Sequence, residues 1–149
     1  IMDSKKALEE SGGDLVKAQQ LLRQQGLATA AKKANRETLE GLVESYVHSG
    51  GRIGSLVEVN CETDFVARTS DFKELAHNLA MQVAAMAPEF IDHSELPEAD
   101  SRNPEEVCLL QQPFIKDGTK IVQDLITELA ARVGESIRVR RFTYFGLGR

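Results

Sequence analysis

The triplet Thr63-Asp64-Phe65 sets an acid directly beside an aromatic where a strand-like run gives way to a helix-like one, a place where chains turn at the surface. Two chemistries fit it. In the structural one, Thr63 or Asp64 caps the first turn of the helix and Phe65 tucks beneath it as an anchor. In the other, an exposed carboxylate and an aromatic wedge form the centre of a protein interface. The remaining reactive groups make a weaker case for chemistry. The 3 histidines, His48, His77 and His93, fall in separate segments, and His77 borders an apolar helical stripe as a partly buried structural side chain would. Carboxylates are plentiful but scattered, with no pair spaced for general acid–base work. The sequence contains none of the nucleophile-elbow, zinc-helix, phosphate-loop or dinucleotide-fingerprint motifs. Cys61 and Cys108 stand far apart, which fits neither a zinc site nor a disulfide framework and suits a reducing compartment. Arg138, Arg140, Arg141 and Arg149 could gather phosphate, although a solvated strand face in an acidic protein is the better account of them, and Lys32-Lys33 reads as a solvated helix face. No catalytic group, metal-ligand set or cofactor motif emerges.

The elements that must position these residues divide at about residue 36. Residues 1–36 read as a helical module: Asp3 caps a short helix, Gly12-Gly13 breaks it, and Asp14 caps a second helix with Leu15, Ala18, Leu21 and Leu22 on one face. One apolar stripe is too little for a domain, so a further helix before Ile1 is expected. Leu27 to Arg36 reads as a polar connecting helix. Beyond it, Leu42–His48 and Ile53–Val59 are β-branched runs joined through Gly50-Gly51, the pattern of a hairpin. Asp71 to Met86 is the clearest helix, with Phe72, Leu75, Ala76, Leu79, Val83 and Met86 inward and Gln82 turned away. Pro88 stops it. Residues 88–106 form a surface connector rich in proline and acid, followed by the short apolar stretch Leu109-Leu110 and Pro113-Phe114-Ile115. Thr119 is expected to cap a second amphipathic helix that ends at Gly134. The last segment alternates from Ile137, then slips at Arg141-Phe142, which predicts a bulge or a strand covered on both faces. The fold class is α+β: a three-stranded antiparallel sheet packed with two long helices over residues 37–149, behind a small N-terminal helical module.

Composition narrows the function classes. The chain has 149 residues, 42% hydrophobic and 28% charged, enough for one compact domain with a small appended module. A net charge of −5 argues against a general nucleic-acid binder, and with 5% aromatics and no Trp a base-stacking platform is not expected. No apolar run reaches the roughly 20 residues of a membrane span.

The segment Asn60-Cys61-Glu62-Thr63-Asp64-Phe65-Val66-Ala67-Arg68, preceded by Gly51-Arg52-Ile53-Gly54 and Leu56-Val57-Glu58-Val59, closely resembles translation elongation factor Ts. The resemblance continues in order through Met2-Asp3-Ser4-Lys5-Lys6-Ala7-Leu8, Gly13-Asp14, Ala31-Lys32-Lys33-Ala34, Gln112-Pro113-Phe114 and Gly134-Glu135-Ser136-Ile137 ahead of Arg140-Arg141-Phe142. Three departures stand out. The family's usual opening, Thr-Gly-Ala-Gly-Met-Met-Asp-Cys, is shortened here to Ile1-Met2-Asp3-Ser4. Residues 101–106 stand where longer members carry a helical hairpin. The hairpin-and-helix core occurs once, where some members hold two copies.

The resemblance implies a guanine-nucleotide exchange factor that acts on elongation factor Tu and makes no covalent bond. It implies a ubiquitin-associated-like N-terminal module docking through Met2, Asp3 and Lys5, with Lys33 at a further contact position, and a Thr63-Asp64-Phe65 loop that enters beside the partner's Mg²⁺ site. It implies no cofactor of its own, no direct nucleic-acid or membrane contact, a homodimer as in short-form relatives, and a bacterial cytoplasm or organelle matrix as its location. The alternative from another class is a passive adaptor or ribosome-associated protein that uses the same module without accelerating exchange. A third is a phosphate-binding protein built on Arg138, Arg140 and Arg141.

Overall fold

The computed structural model describes residues 36–148, so the helical module expected over residues 1–36, with Asp3, Gly12-Gly13, Asp14 and all but the last residue of the connecting helix, lies outside the described residues. Strands β1 (Glu40–Val47) and β2 (Ile53–Cys61) form the predicted hairpin, and β5 (Arg138–Gly146) lies antiparallel on the other side of β2, giving the order β1-β2-β5. The hairpin turns through Gly50 and Gly51, whose φ angles of 97° and 70° disfavour any side chain. The His48 N–H donates to the Ile53 carbonyl at 2.8 Å and closes the loop.

Alternation along β2 puts Val57 and Val59 on one face and Leu56 and Glu58 on the other. The slip predicted in the last strand is a bulge, one residue earlier than expected. Glu58 pairs with Arg141 and Val59 with Val139, so Arg140 is the extra residue. The physical consequence is a change of parity. Val139 faces the helices before the bulge, and Phe142 and Tyr144 face them after it, opposite Val57 and Ser55.

Helices α1 (Asp64–Ala67), α2 (Ser70–Met86), α3 (Pro104–Val107) and α4 (Val122–Val133) follow in chain order. α2 crosses β1 and β2 and meets β5 and α4. Its stripe of Phe72, Leu75, Ala76, Leu79, Ala80 and Val83 is buried against Val57, Val59, Ile126 and Leu129. The Thr69 hydroxyl caps α2 by accepting from the Phe72 N–H at 3.3 Å, and Ala87 turns left-handed just before Pro88.

Four expectations need correction. Met86, expected inward, is exposed together with Ala85 and Ala87, so the buried stripe of α2 ends before its last residue. Gln82, expected outward, is fully buried: its side chain donates to the Pro113 carbonyl at 3.0 Å and accepts from the Ile115 N–H at 3.0 Å. His77, expected to be partly buried, is exposed, and its ring lies edge-on to Tyr46. Thr119 does not cap the second long helix. It lies in β4 (Asp117–Ile121), which pairs with β3 (Pro113–Phe114) in a small hairpin the sequence reading missed, and its hydroxyl donates to Asp117 at 2.6 Å. α4 starts three residues later, and the Asp124 carboxylate accepts from the Ile121 N–H at 3.0 Å. That bond also places a negative charge in the helix's first turn.

Gly41 sits opposite Asn60 where β1 and β2 approach closely, with φ at 150°. A Cβ there would run into the Val59 carbonyl oxygen. Gly41→Ala is expected to lower unfolding free energy by about 1–3 kcal/mol, through strain and a spread hairpin. A denaturation midpoint unchanged from the native chain would show that the sheet absorbs the methyl group.

Candidate functional site

The described part of the site is the turn that joins β2 to α1. β2 ends at Cys61, whose buried thiol donates to the Thr63 carbonyl at 3.2 Å. Burial, together with the negative Glu135 nearby, pushes that thiol up to about 11, so it stays a protonated, unreactive donor. Thr63 is the N-cap of α1, and its Oγ1 accepts from the Val66 N–H at 3.3 Å. Backbone bonds from Ala67 N–H to the Thr63 carbonyl and from Arg68 N–H to the Asp64 carbonyl close the single turn, at 3.3 and 3.1 Å. The Thr69 hydroxyl donates back to the Val66 carbonyl at 2.7 Å and also caps α2, so the short helix abuts the long one.

Local periodicity then decides which side chains face out. Val66 and Ala67 are buried at 5% and 4% exposure, which turns the neighbouring Phe65 outward at 78%. The structural reading of Phe65 as an anchor beneath the turn is therefore overturned: the ring stands in solvent. Asp64 is also exposed, and Arg68, one turn on, pairs with it at 3.0 Å across the helix surface. An exposed pair of this kind contributes only about 0.3–0.5 kcal/mol. Thr63, Asp64 and Phe65 thus lie together on one exposed turn, whereas Met2, Asp3, Lys5 and Lys33 lie outside the described residues.

One participant was missed by the sequence reading. Glu135, in the loop after α4, accepts from the Glu62 and Thr63 N–H groups through Oε1, each at 3.1 Å, and from the Thr63 hydroxyl through Oε2 at 2.7 Å. In the reverse direction, the Glu62 carboxylate accepts from the Ser136 N–H at 2.5 Å, and its other oxygen lies 3.6 Å from the Arg36 guanidinium. The two loops are held by a reciprocal pair of carboxylates. The only hint in the sequence was that Gly134-Glu135-Ser136-Ile137 formed one of the blocks resembling the family.

Other candidate chemistry fares less well. Among the described residues, no group of histidine, cysteine and acidic side chains could hold a metal ion. Arg141 pairs with Glu58 at 2.8 Å, and Arg140 approaches the same carboxylate at 3.9 Å. A hydrogen bond from Asn60 and the adjacent guanidinium groups hold the Glu58 carboxyl below its ordinary range. Two of the arginines that could gather phosphate are therefore already engaged. No helix among the described residues is long and apolar enough to cross a membrane.

The family profile described as Elongation factor TS matches residues 29–103, which span β1, β2, α1 and α2. The Elongation factor Ts of Moorella thermoacetica is 50% identical, over 99% of this chain and 88% of the relative. That of Carboxydothermus hydrogenoformans is 47% identical over 99% and 82%, and that of Thermotoga petrophila 49% identical over 99% and 88%. These alignments run to 176–178 positions, so the relatives carry positions this 149-residue chain lacks. The role these relatives define is that of a translation elongation factor. The chain belongs to the elongation factor Ts family.

Proposed function

We propose that this chain is a guanine-nucleotide exchange factor for elongation factor Tu and that Thr63, Asp64 and Phe65 are its exchange loop. The observation that carries the reading is Phe65, an aromatic left 78% exposed on a hydrogen-bonded turn, beside an acid. A large ring kept in water and presented by a braced backbone has the character of an interface hot spot. Mg²⁺ bridging the phosphates accounts for much of the partner's hold on GDP, and its near-octahedral shell tolerates little displacement. A wedge that shifts a neighbouring element of the partner by an ångström or two weakens that hold without touching the base. No covalent bond is made, so the chain acts without a cofactor and without enzymatic chemistry.

Met2, Asp3, Lys5 and Lys33 supply the second grip in this reading, within a helical module over residues 1–36 that precedes a core over 37–149. The partner is a protein, not a nucleic acid or a membrane, and the place of action is the bacterial cytoplasm or an organelle matrix. Release of a fluorescent GDP analogue from elongation factor Tu, with and without this chain, tests the proposal. A release rate that does not change would favour the passive adaptor.

Homodimerisation belongs to the same reading. The sheet face turned away from the helices presents Val47, Leu56 and Phe145 at 47–70% exposure, in rows set by the register Val47–Gly54–Phe145 and Ser45–Leu56–Thr143, with the exposed Val43 in the next row beside Glu58 and Arg141. A patch of this kind calls for cover, and a second copy offers a matching face. The protein is expected to sediment as a dimer at micromolar concentration, and Phe145→Asp is expected to shift it to monomer without unfolding it. A native chain that remains monomeric across that range would remove the dimer.

A further inference from the structure

We propose that Glu135 is a positioning residue for the exchange loop, holding the Thr63-Asp64-Phe65 turn in the shape that a partner meets. The proposal rests on the exchange-factor reading above and adds to it a residue 72 positions away in sequence.

The geometry points one way. A carboxylate is an acceptor-only group, and charge-assisted bonds to it are shorter and stronger than neutral ones. The three hydrogen bonds of Glu135 all come from Glu62 and Thr63, the two residues that lead into Asp64 and Phe65. The Thr63 hydroxyl is thereby oriented: with its proton directed at Glu135, its lone pairs face the Val66 N–H and complete the cap. Glu135 itself leaves a fixed frame. Ser136 and Ile137, which follow it, are buried at 6% and 7%, and the Ser136 N–H is held by Glu62. The brace thus runs from the packed body of the protein to the base of a four-residue helix too short to hold its own shape.

A brace of purely structural value would be expected to stabilise the fold. Here the donors it satisfies lie at an exposed or half-exposed turn, where water can replace the carboxylate. What water cannot supply is a single backbone conformation for Phe65. Loss of the brace therefore spreads the turn over several shapes and reduces the fraction competent to engage a partner.

A double-mutant cycle on GDP release from elongation factor Tu tests this, using the whole chain as Glu135→Ala, Phe65→Ala and the combination. Glu135→Ala is expected to lower the exchange rate about tenfold. The double variant is expected to be no slower than Phe65→Ala within about twofold, because a brace has nothing to position once the ring is gone. Glu135→Gln, which keeps one carbonyl oxygen for the two backbone N–H groups, should recover most of the rate; if the alanine variant does not fold, Glu135→Asp, whose carboxylate is one methylene short of these donors, stands in for it with the same expected loss. In the free protein, amide hydrogen exchange at Glu62 and Thr63 should speed up in Glu135→Ala while Val57 and Val59 in β2 keep their protection. Native exchange by Glu135→Ala, or losses that multiply in the double variant, would overturn the proposal while leaving the loop reading intact. Native exchange by Phe65→Ala itself would overturn the loop reading, and the positioning role would fall with it.

Discussion

The protein is expected to bind nucleotide-free elongation factor Tu about 100-fold or more tightly than the GDP–Mg²⁺ form. The reason is linkage. If the exposed Phe65 turn weakens GDP binding by displacing the metal's surroundings, then GDP must weaken the binding of this protein by the same factor, since both describe one thermodynamic square. Coupling energies usually lie at about 1–3 kcal/mol, and a factor that ejects a tightly held nucleotide belongs at or above the top of that range. Removing Mg²⁺ should narrow the difference, because the metal and the wedge make competing demands on the same few ångströms. Two calorimetric titrations, against the empty and the GDP-loaded partner, measure it directly. Equal affinities would mean binding without exchange, and the chain would then be an adaptor.

Phe65→Ala is expected to slow exchange at least about tenfold, equivalent to about 1.4 kcal/mol of transition-state stabilisation, while folding stability barely moves. The asymmetry follows from exposure. At 78% exposed, the Phe65 ring contributes little burial to the folded chain, whereas the fully buried Phe72 in the first turn of α2 contributes a great deal. Phe72→Ala is the matched control, expected to cost about 3–5 kcal/mol in stability. Exchange rates and chemical-denaturation midpoints on both variants separate the two roles. A stability loss near that of Phe72→Ala in the Phe65 variant would put the ring in the core and remove the wedge.

The elements legible in the sequence were those decided by neighbours a few residues apart. Gly50-Gly51 between two β-branched runs could hardly be anything but a hairpin turn, and the 3.6-residue stripe from Phe72 to Val83 places α2 to within a residue. The slip in alternation near Arg141 marked the bulge at Arg140, one residue off, because a pattern shows that parity changes but not which residue is left unpaired. The hairpin of β3 and β4 was not legible. Its strands are two and five residues long, and they are held by Gln82, a polar side chain on α2 that any amphipathic reading assigns to solvent. Thr119 looked like a cap because capping residues and strand residues overlap in type, and the Asp124 bond to Ile121 that starts α4 is invisible until the backbone is placed.

The site divides along the same line. Thr63-Asp64-Phe65 could be singled out from residue types alone, and so could the choice between an anchored and an exposed ring, but not its outcome. Which way Phe65 points depends on Val66 and Ala67 finding the core beneath them, and that core is assembled from β2, α2 and the two residues themselves. The brace from Glu135 required more still. By itself the sequence determined the local segments, their caps and the type of residue at the turn, because propensity, periodicity and short-range hydrogen bonding act over a few residues. Only the tertiary structure decided that the loop after α4 meets the end of β2, since that contact joins positions 72 apart and exists only when the sheet register brings β5 alongside β2.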